Sequence, residues 1–320
     1  MKGVGIEQYG DVNELRTIEL PTKQLGPDDL MISVQASGVN PVDWKVREGK
    51  LKQDFAFELP LILGWDAAGT VKAAGANVQD FHVGDDVFFR PLFDRFGTYA
   101  DEIVVPASIV SKIPKGISYM EAASLPLAGL TALQAIEEVG QVGPETRVLI
   151  LAGSGGVGSL AIQIVKARGA YVAATTSTRN AKFVRELGAD EVLTYDTGSI
   201  QSSVQFDFLF DTIGGSAYGD ALKLMKPGGV VATIISSRDA IRPDVADALE
   251  RDLRLRTEFV FTRPDGKNMN RIRELVEEGK VKPLISEVYP MTVDGVRKAH
   301  LASQTGRTRG KIVLSREFSQ

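Results

Sequence analysis

The chain contains no cysteine and only two histidines, His82 and His300, in 320 residues. Without cysteine there can be no disulfide framework, thiol nucleophile or thiolate zinc site. Two histidines are too few for a histidine-rich metal site, and with one of them in the turn-like FHVGD (81–85) a Ser–His–Asp triad is not credible. There is no basic excess either. Lys and Arg number 37 against 41 Asp and Glu, and a net charge of −4 gives composition no case for a nucleic-acid or membrane partner. No apolar run approaches the roughly 20 residues that span a bilayer. The opening MKGVGIEQYG reads as a strand and lacks a basic-then-apolar leader pattern. A cytoplasmic protein is therefore expected. What is present, 43% hydrophobic and 24% charged residues, is ordinary for a globular chain, and the length suggests two domains.

Two kinds of pattern divide the chain. Up to about residue 125 short alternating runs recur at Leu30–Ala36, Gly69–Ala73, Asp86–Phe89 and Glu102–Val105, punctuated by glycine and proline. They predict a small barrel-like β domain. Tyr119–Val139 is alanine- and leucine-rich at helical spacing. Strands are then predicted at Arg147–Leu151, Tyr171–Thr175, Glu191–Thr194, Phe206–Phe210 and Gly229–Ile235. Helices are predicted between them at Gly158–Arg168, Asn180–Leu187 and Tyr218–Leu224. Such alternation predicts an α/β, doubly wound parallel sheet. β character returns from about Val288, so the C-terminus is expected to rejoin the first domain. The division that follows is 1–125 with 261–320, and 126–260.

Val148–Gly158 (VLILAGSGGVG) carries the sharpest signal. A β-branched run feeds Gly153, Gly155 and Gly158 in G-x-G-x-x-G spacing, and a helical pattern follows. Strand, tight turn and helix start come in the order that a dinucleotide pyrophosphate requires. The glycines admit a sharp turn and close backbone approach, and the helix start offers N–H groups and a positive dipole end. Gly153, Ser154, Gly155, Gly156 and Val157 are thus candidate cofactor contacts.

After the second strand of this unit, an NAD site usually places a carboxylate for the ribose 2′-hydroxyl. Here the stretch Ala174–Lys182 (ATTSTRNAK) has hydroxyls and two cations and no carboxylate. Thr176, Ser177 and Arg179 are candidates to bind a 2′-phosphate through charge-assisted hydrogen bonds, which points to NADP(H). Read otherwise, the stretch is a solvated polar loop.

The phrases SGVNPVDWK (37–45), LGWDAAGTV (63–71), GTYADEIVVP (97–106), EAASLPLAGLTA (121–132), AGSGGVGS (152–159), RELGADEVLTYD (185–196) and TRGKIVL (308–314) occur in this order along the chain. Together they resemble the medium-chain dehydrogenase/reductase superfamily, in its zinc-independent quinone oxidoreductase and enone (alkenal/one) reductase branch. The resemblance implies a GroES-like β-rich domain plus a Rossmann domain. It also implies hydride transfer from NADPH to quinones or α,β-unsaturated carbonyls, and a homodimer. Positions that hold zinc ligands in zinc-dependent members correspond here to Asn40, Trp65 and Leu127, which make no useful zinc site.

The same resemblance implies further roles. Thr131 is expected near the nicotinamide carboxamide, though a helical threonine bonding its own backbone is also compatible. Tyr195 matches a position beside the 2′-phosphate, and Arg309 and Lys311 match a basic pair facing the cofactor. Ile213, Ile235 and Ser236 follow predicted strands, at the ends where open α/β sheets bind ligands. Phe261 either approaches the nicotinamide or forms a dimer edge. For the substrate, Lys45 is the candidate donor to a developing enolate, or else a surface lysine beside a structural Asp43. Asn40 is a candidate neutral donor and Trp65 a pocket wall. Tyr9 and Tyr99 are less favoured proton donors than solvent. An enoyl-thioester reductase and a non-enzymatic NADPH-binding or RNA-associated protein stand as alternatives.

Overall fold

A computed structural model describes residues 1–55, 57–94, 96–235 and 243–316. The chain divides into two compact units. One comprises Met1–Leu130, Arg263–Glu277 and Pro283–Gln320, and the other Thr131–Thr262 with Glu278–Lys282.

The first unit begins with strands β1 (Lys2–Ile6), β2 (Arg16–Glu19), β3 (Asp29–Val39), β4 (Leu61–Ile62), β5 (Ala67–Ala74), β6 (Asp86–Phe89), β7 (Glu102–Pro106) and β8 (Val110–Lys112). Its first helices are α1 (Pro41–Arg47), α2 (Tyr119–Ala123) and α3 (Pro126–Leu133), the last of which runs on into the second unit. The strand β3 shows why this is a sheet protein. From Leu30 to Ala36 every second side chain is buried, and Leu30, Ile32 and Val34 enter a core with Val71, Val87 and Ile103. The helix predicted over 119–139 is three pieces. Ser118 and Glu121 cap each other at the start of α2, Pro126 opens α3, and Gln134–Val139 form a π-helical turn. The break falls where Pro126 disfavours helical geometry for Leu125.

The second unit adds β9 (Arg147–Ile150), α4 (Gly156–Ala167), β10 (Tyr171–Thr176), α5 (Ala181–Glu186), β11 (Glu191–Thr194), β12 (Phe206–Asp211), α6 (Gly215–Leu222), β13 (Met225–Thr233), α7 (Pro243–Asp252) and β14 (Arg256–Phe259). Its strands form one parallel sheet in the order β11-β10-β9-β12-β13-β14. Numbered within the unit this is 3-2-1-4-5-6, the Rossmann order, with the direction of winding reversing between β9 and β12.

The chain then closes the first unit with α8 (Gly266–Glu277), β15 (Ile285–Pro290), α9 (Val293–Gln304) and β16 (Lys311–Ser315). The large sheet of that unit runs β15-β16-β3-β5-β6-β8, with β7 also on β3. The smaller sheet runs β2-β1-β4. The fold is therefore α/β overall, a GroES-like β-rich part with a Rossmann part. No helix among the described residues is long and apolar enough to cross a membrane.

Candidate active site

In the Rossmann unit the glycine turn is anchored to the neighbouring strand. The Ala152 N–H donates to Thr175 Oγ1 at 3.0 Å and the Gly153 N–H to the Thr175 carbonyl at 2.8 Å. Any Cβ on Gly158 would lie 2.3 Å from the Ala152 carbonyl oxygen, and one on Gly153 would lie 2.7 Å from Ala174 Cβ. Only glycine lets α4 approach the strand so closely. The N-cap of α4 is Gly155, which has no side chain to satisfy the first N–H groups, so those of Gly156 and Val157 suit an anionic ligand.

The end of β10 meets this turn. Ser154 Oγ accepts from Thr176 Oγ1 and from Asn180 Nδ2, both at 3.2 Å. Ser177 Oγ is buried and has no hydrogen-bond partner among the described residues, while Arg179 is exposed. The next strand brings Tyr195, half-exposed, and Asp196, which accepts from the Thr178 N–H and hydroxyl at 2.8–3.0 Å. Those bonds hold the Asp196 carboxyl below its usual range. An orphaned hydroxyl, a cation and a bare helix start together suit an anionic dinucleotide cofactor.

Beyond β12, buried Asp211 accepts from the Ile213 and Gly214 N–H groups (3.1 and 2.7 Å) and from Thr233 Oγ1 (2.8 Å), pinning the ends of β12 and β13 together. Burial pushes its carboxyl up. Ile213 stays exposed, and Thr233 Oγ1 accepts the Ile235 N–H at 3.1 Å. Ser236 lies outside the described residues. Thr131 is buried with its hydroxyl 2.6 Å from that of Thr262, and Phe261 beside it is exposed.

In the first unit the candidates gather around a carboxylate that the sequence reading left unremarked. Asp66, fully buried, accepts from Asn40 Nδ2 (2.7 Å), the Leu127 N–H (2.5 Å) and Lys311 Nζ (3.2 Å). The Lys311 ammonium also donates to the Val39 carbonyl at 3.0 Å and to Asn40 Oδ1. Lys311 is thus buried, whereas Arg309 is exposed. Trp65 is fully buried and stacks on Phe93 with ring centroids 4.6 Å apart. Lys45 is half-buried, its Nζ 5.9 Å from the Trp44 ring centroid. Arg90, at the end of β6, is buried above the Phe93 ring; no local motif had marked it.

Asp43 accepts from the Asn40 N–H (2.7 Å) and from the Tyr99 hydroxyl (2.6 Å) through one oxygen. Tyr99 therefore works as a buried donor to Asp43.

A parallel sheet in 3-2-1-4-5-6 order carrying this turn, in one chain with a GroES-like β unit, defines a nicotinamide-dependent oxidoreductase. The alcohol dehydrogenase GroES-like domain family matches residues 26–115, and the zinc-binding dehydrogenase family matches residues 187–314. The mouse (Mus musculus) mitochondrial NAD(P)H oxidoreductase RTN4IP1 is 34% identical over 97% of this chain and 88% of its own length. The chloroplastic NADPH-dependent alkenal/one oxidoreductase of Arabidopsis thaliana is 32% identical over 98% of this chain and 79% of its own. The solved quinone oxidoreductase of Coxiella burnetii superposes with a TM-score of 0.87 at 29% identity, covering 98% of this chain and 99% of that one. The chain belongs to the medium-chain dehydrogenase/reductase superfamily, in its quinone oxidoreductase and enone reductase branch.

The name of the second family implies zinc, and the residues present do not fit it. Asn40 and Trp65 are joined at the corresponding place by Leu127 and the Lys311 ammonium, which repels a cation. No group of three or more His, Cys, Asp or Glu suited to a metal occurs among the described residues. His300 is buried with Nδ1 3.1 Å from Arg47 Nη1, and His82 is exposed in a turn.

Burial raises the Asp43 carboxyl to about 7, against the hydrogen bonds from Tyr99 and Asn40 and the Lys311 charge, which lower it. The folded state thus holds this proton more tightly than the unfolded chain. Its contribution to stability is complete below about pH 4 and is lost as pH rises through about 7. His300, lowered to about 3 by burial and the Arg47 charge, acts in the opposite sense, adding stability as pH rises from about 3 to 6.5. Asp43→Asn keeps an acceptor oxygen and removes only the Asp43 titration. The urea midpoint of the variant is expected to fall less between pH 5 and 8 than that of the wild type; equal falls would contradict the assignment.

Proposed function

We propose that this protein is an NADPH-dependent reductase of quinones or α,β-unsaturated carbonyl compounds that works without a metal. The observation that carries the cofactor preference is the Ser177 hydroxyl, buried without a partner among the described residues and two residues before the exposed Arg179. A 2′-phosphate supplies an acceptor for the first and a counter-charge for the second. Asp196, whose charge would oppose a phosphate, is engaged by Thr178. The names of the Arabidopsis and Coxiella relatives support the same acceptors.

When bound, the reduced nicotinamide supplies a hydride. The acceptor must then be electrophilic without Lewis-acid help, as a quinone or an enone is. Gly153–Val157 would hold the pyrophosphate at the N-terminus of α4, and Thr176, Ser177, Arg179 and Tyr195 would receive the 2′-phosphate. Thr131, Ile213, Ile235, Ser236 and Phe261 are the candidates around the nicotinamide half, and Arg309 for the cofactor's phosphates. Asp66 and Lys311 fix the Asn40 amide between them, so Asn40 presents its remaining N–H in one orientation. Trp65, expected as a pocket wall, is instead fully buried against Phe93, and Lys45 lies on α1. Hydride arrival at the β-carbon of an enone places charge on the carbonyl oxygen, where a positioned donor lowers the barrier. Solvent protonates the α-carbon.

The partners are small molecules, and the net charge of −4 argues against nucleic acid. A cytoplasmic homodimer is part of the reading. Edge strand β14 (RTEF) ends in exposed Phe259, with Phe261 exposed just beyond, and this sheet edge is where a second copy would pair. Sedimentation as a monomer at micromolar concentration would rule the dimer out.

The primary test is NADPH oxidation by purified protein in EDTA with a simple non-quinone enone as sole acceptor. Rapid turnover is expected; none with either an enone or a quinone overturns the reading. Arg179→Ala is expected to raise KM for NADPH about 10-fold, the loss of about 1.4 kcal/mol of binding, and to spare NADH. Unchanged NADPH kinetics would sink the phosphate assignment.

A further inference from the structure

Asp196 lies just past β11, and its carboxylate caps a turn that follows β10. The two strands run parallel with Thr176 opposite Thr194, and the Tyr195 N–H continues that ladder to the Thr176 carbonyl at 3.2 Å. The same offset, carried two residues on, sets Asp196 against Thr178. There both carboxylate oxygens accept the Thr178 N–H, at 2.9 and 3.0 Å, and one also accepts the Thr178 hydroxyl at 2.8 Å. Thr178 opens the single 3₁₀ turn Thr178–Asn180, whose N-cap residue is Ser177.

A serine at an N-cap ordinarily turns its hydroxyl oxygen to the backbone N–H groups of the first turn. Here Ser177 has the extended N-cap backbone, φ −77° and ψ 154°, yet makes no side-chain cap bond. The Asn180 N–H goes to the Ser177 carbonyl at 2.9 Å, and the Ser177 hydroxyl is buried without a partner among the described residues. Asp196 has taken over the capping. Its carboxylate is engaged by Thr178, and Arg179, one residue on, makes no ion pair among the described residues. On its other side the turn is tied to the glycine loop by Asn180 Nδ2, 3.2 Å from Ser154 Oγ. All of these bonds lie within the Rossmann unit, and Thr178 and Arg179 stand exposed on its surface.

We propose that Asp196 is a positioning residue that selects NADPH over NADH, capping the turn in place of Ser177 so that Ser177 and Arg179 are kept for the 2′-phosphate. This rests on the NADPH reading above and adds to it a residue that acts through Thr178 rather than on the cofactor. The sign is the reverse of the ordinary one. A carboxylate beside the adenosine ribose usually favours NADH, by bonding the 2′-hydroxyl and repelling a phosphate. Here the carboxylate oxygens are engaged by Thr178, and removing them loosens the turn that the phosphate needs. Binding must then order that turn afresh, and affinity falls.

The test is calorimetry on the full chain, with adenosine 2′,5′-bisphosphate and 5′-AMP as probes, for wild type, Asp196→Ala and Asp196→Asn. Folding is checked by circular dichroism and thermal midpoint. Asp196→Ala is expected to bind the bisphosphate about 5-fold more weakly, the scale of losing a helix cap, with 5′-AMP changed by less than about 2-fold. Asp196→Asn keeps an acceptor for the Thr178 N–H and is expected to stay within about 2-fold of wild type for both probes. An Asp196→Ala variant that binds the bisphosphate as tightly as wild type, or more tightly, overturns the proposal, since simple repulsion by Asp196 gives that result. An equal loss for both probes, or an Asn variant as weak as the Ala variant, overturns it too. Wild-type protein that binds the bisphosphate no better than 5′-AMP overturns the NADPH reading itself, and the proposal with it.

Discussion

A single buried carboxylate organises the first unit. Asp66 sits at the end of the turn before β5, and its two oxygens accept from the Asn40 amide, the Leu127 backbone and the Lys311 ammonium. These partners come from three distant stretches of sequence. A charge so far from water persists only where its lone pairs are filled, and removing one partner strands the others. The Asn40 orientation, the start of α3 and the seating of β16 all follow from that requirement. The same constraint makes Asp66, Asn40 and the Val39 carbonyl a binder for a cation. Here the cation is covalently part of the chain.

The two units solve opposite electrostatic problems. In the Rossmann unit the donors are in surplus: a helix start capped by glycine, a serine hydroxyl with no acceptor, an arginine in solvent. Such a surface is complementary to phosphate. In the β-rich unit both atoms of the Asn40 amide are matched, while Asp43 Oδ1, Trp65 Nε1 and Arg90 Nε are buried without a hydrogen-bond partner among the described residues.

Much of this was legible in the chain and some of it was not, for a definable reason. The glycine turn, the β-α alternation and the returning C-terminal strand are local patterns of period and composition, and they survive being read one window at a time. Helix α1, by contrast, spans only seven residues, too short for a periodic signal, and α7, β14 and α8 fall in a charged stretch where the sparse apolar residues of α8, Met269, Ile272 and Leu275, went unread although they recur at helical spacing. Asp66 escaped because its importance lies in what surrounds it. An aspartate in LGWDAAG looks ordinary until residues 40, 127 and 311 are brought around it. Lys311 shows the same limit. Its position matched a basic pair, yet burial separates it from Arg309, and only the fold distinguishes them.

The threading of the sheets has a consequence for biogenesis. The Rossmann unit is built almost entirely from one continuous segment, so its sheet can assemble as soon as residue 262 has left the ribosome. The large sheet of the other unit has β16 paired directly with β3, and its final strand is made some 270 residues after the one it joins. Until then β3 has an unsatisfied edge, and Asp66 lacks its ammonium partner. The part of the chain synthesised first is thus the part completed last, and its nascent intermediate carries an open strand edge along β3.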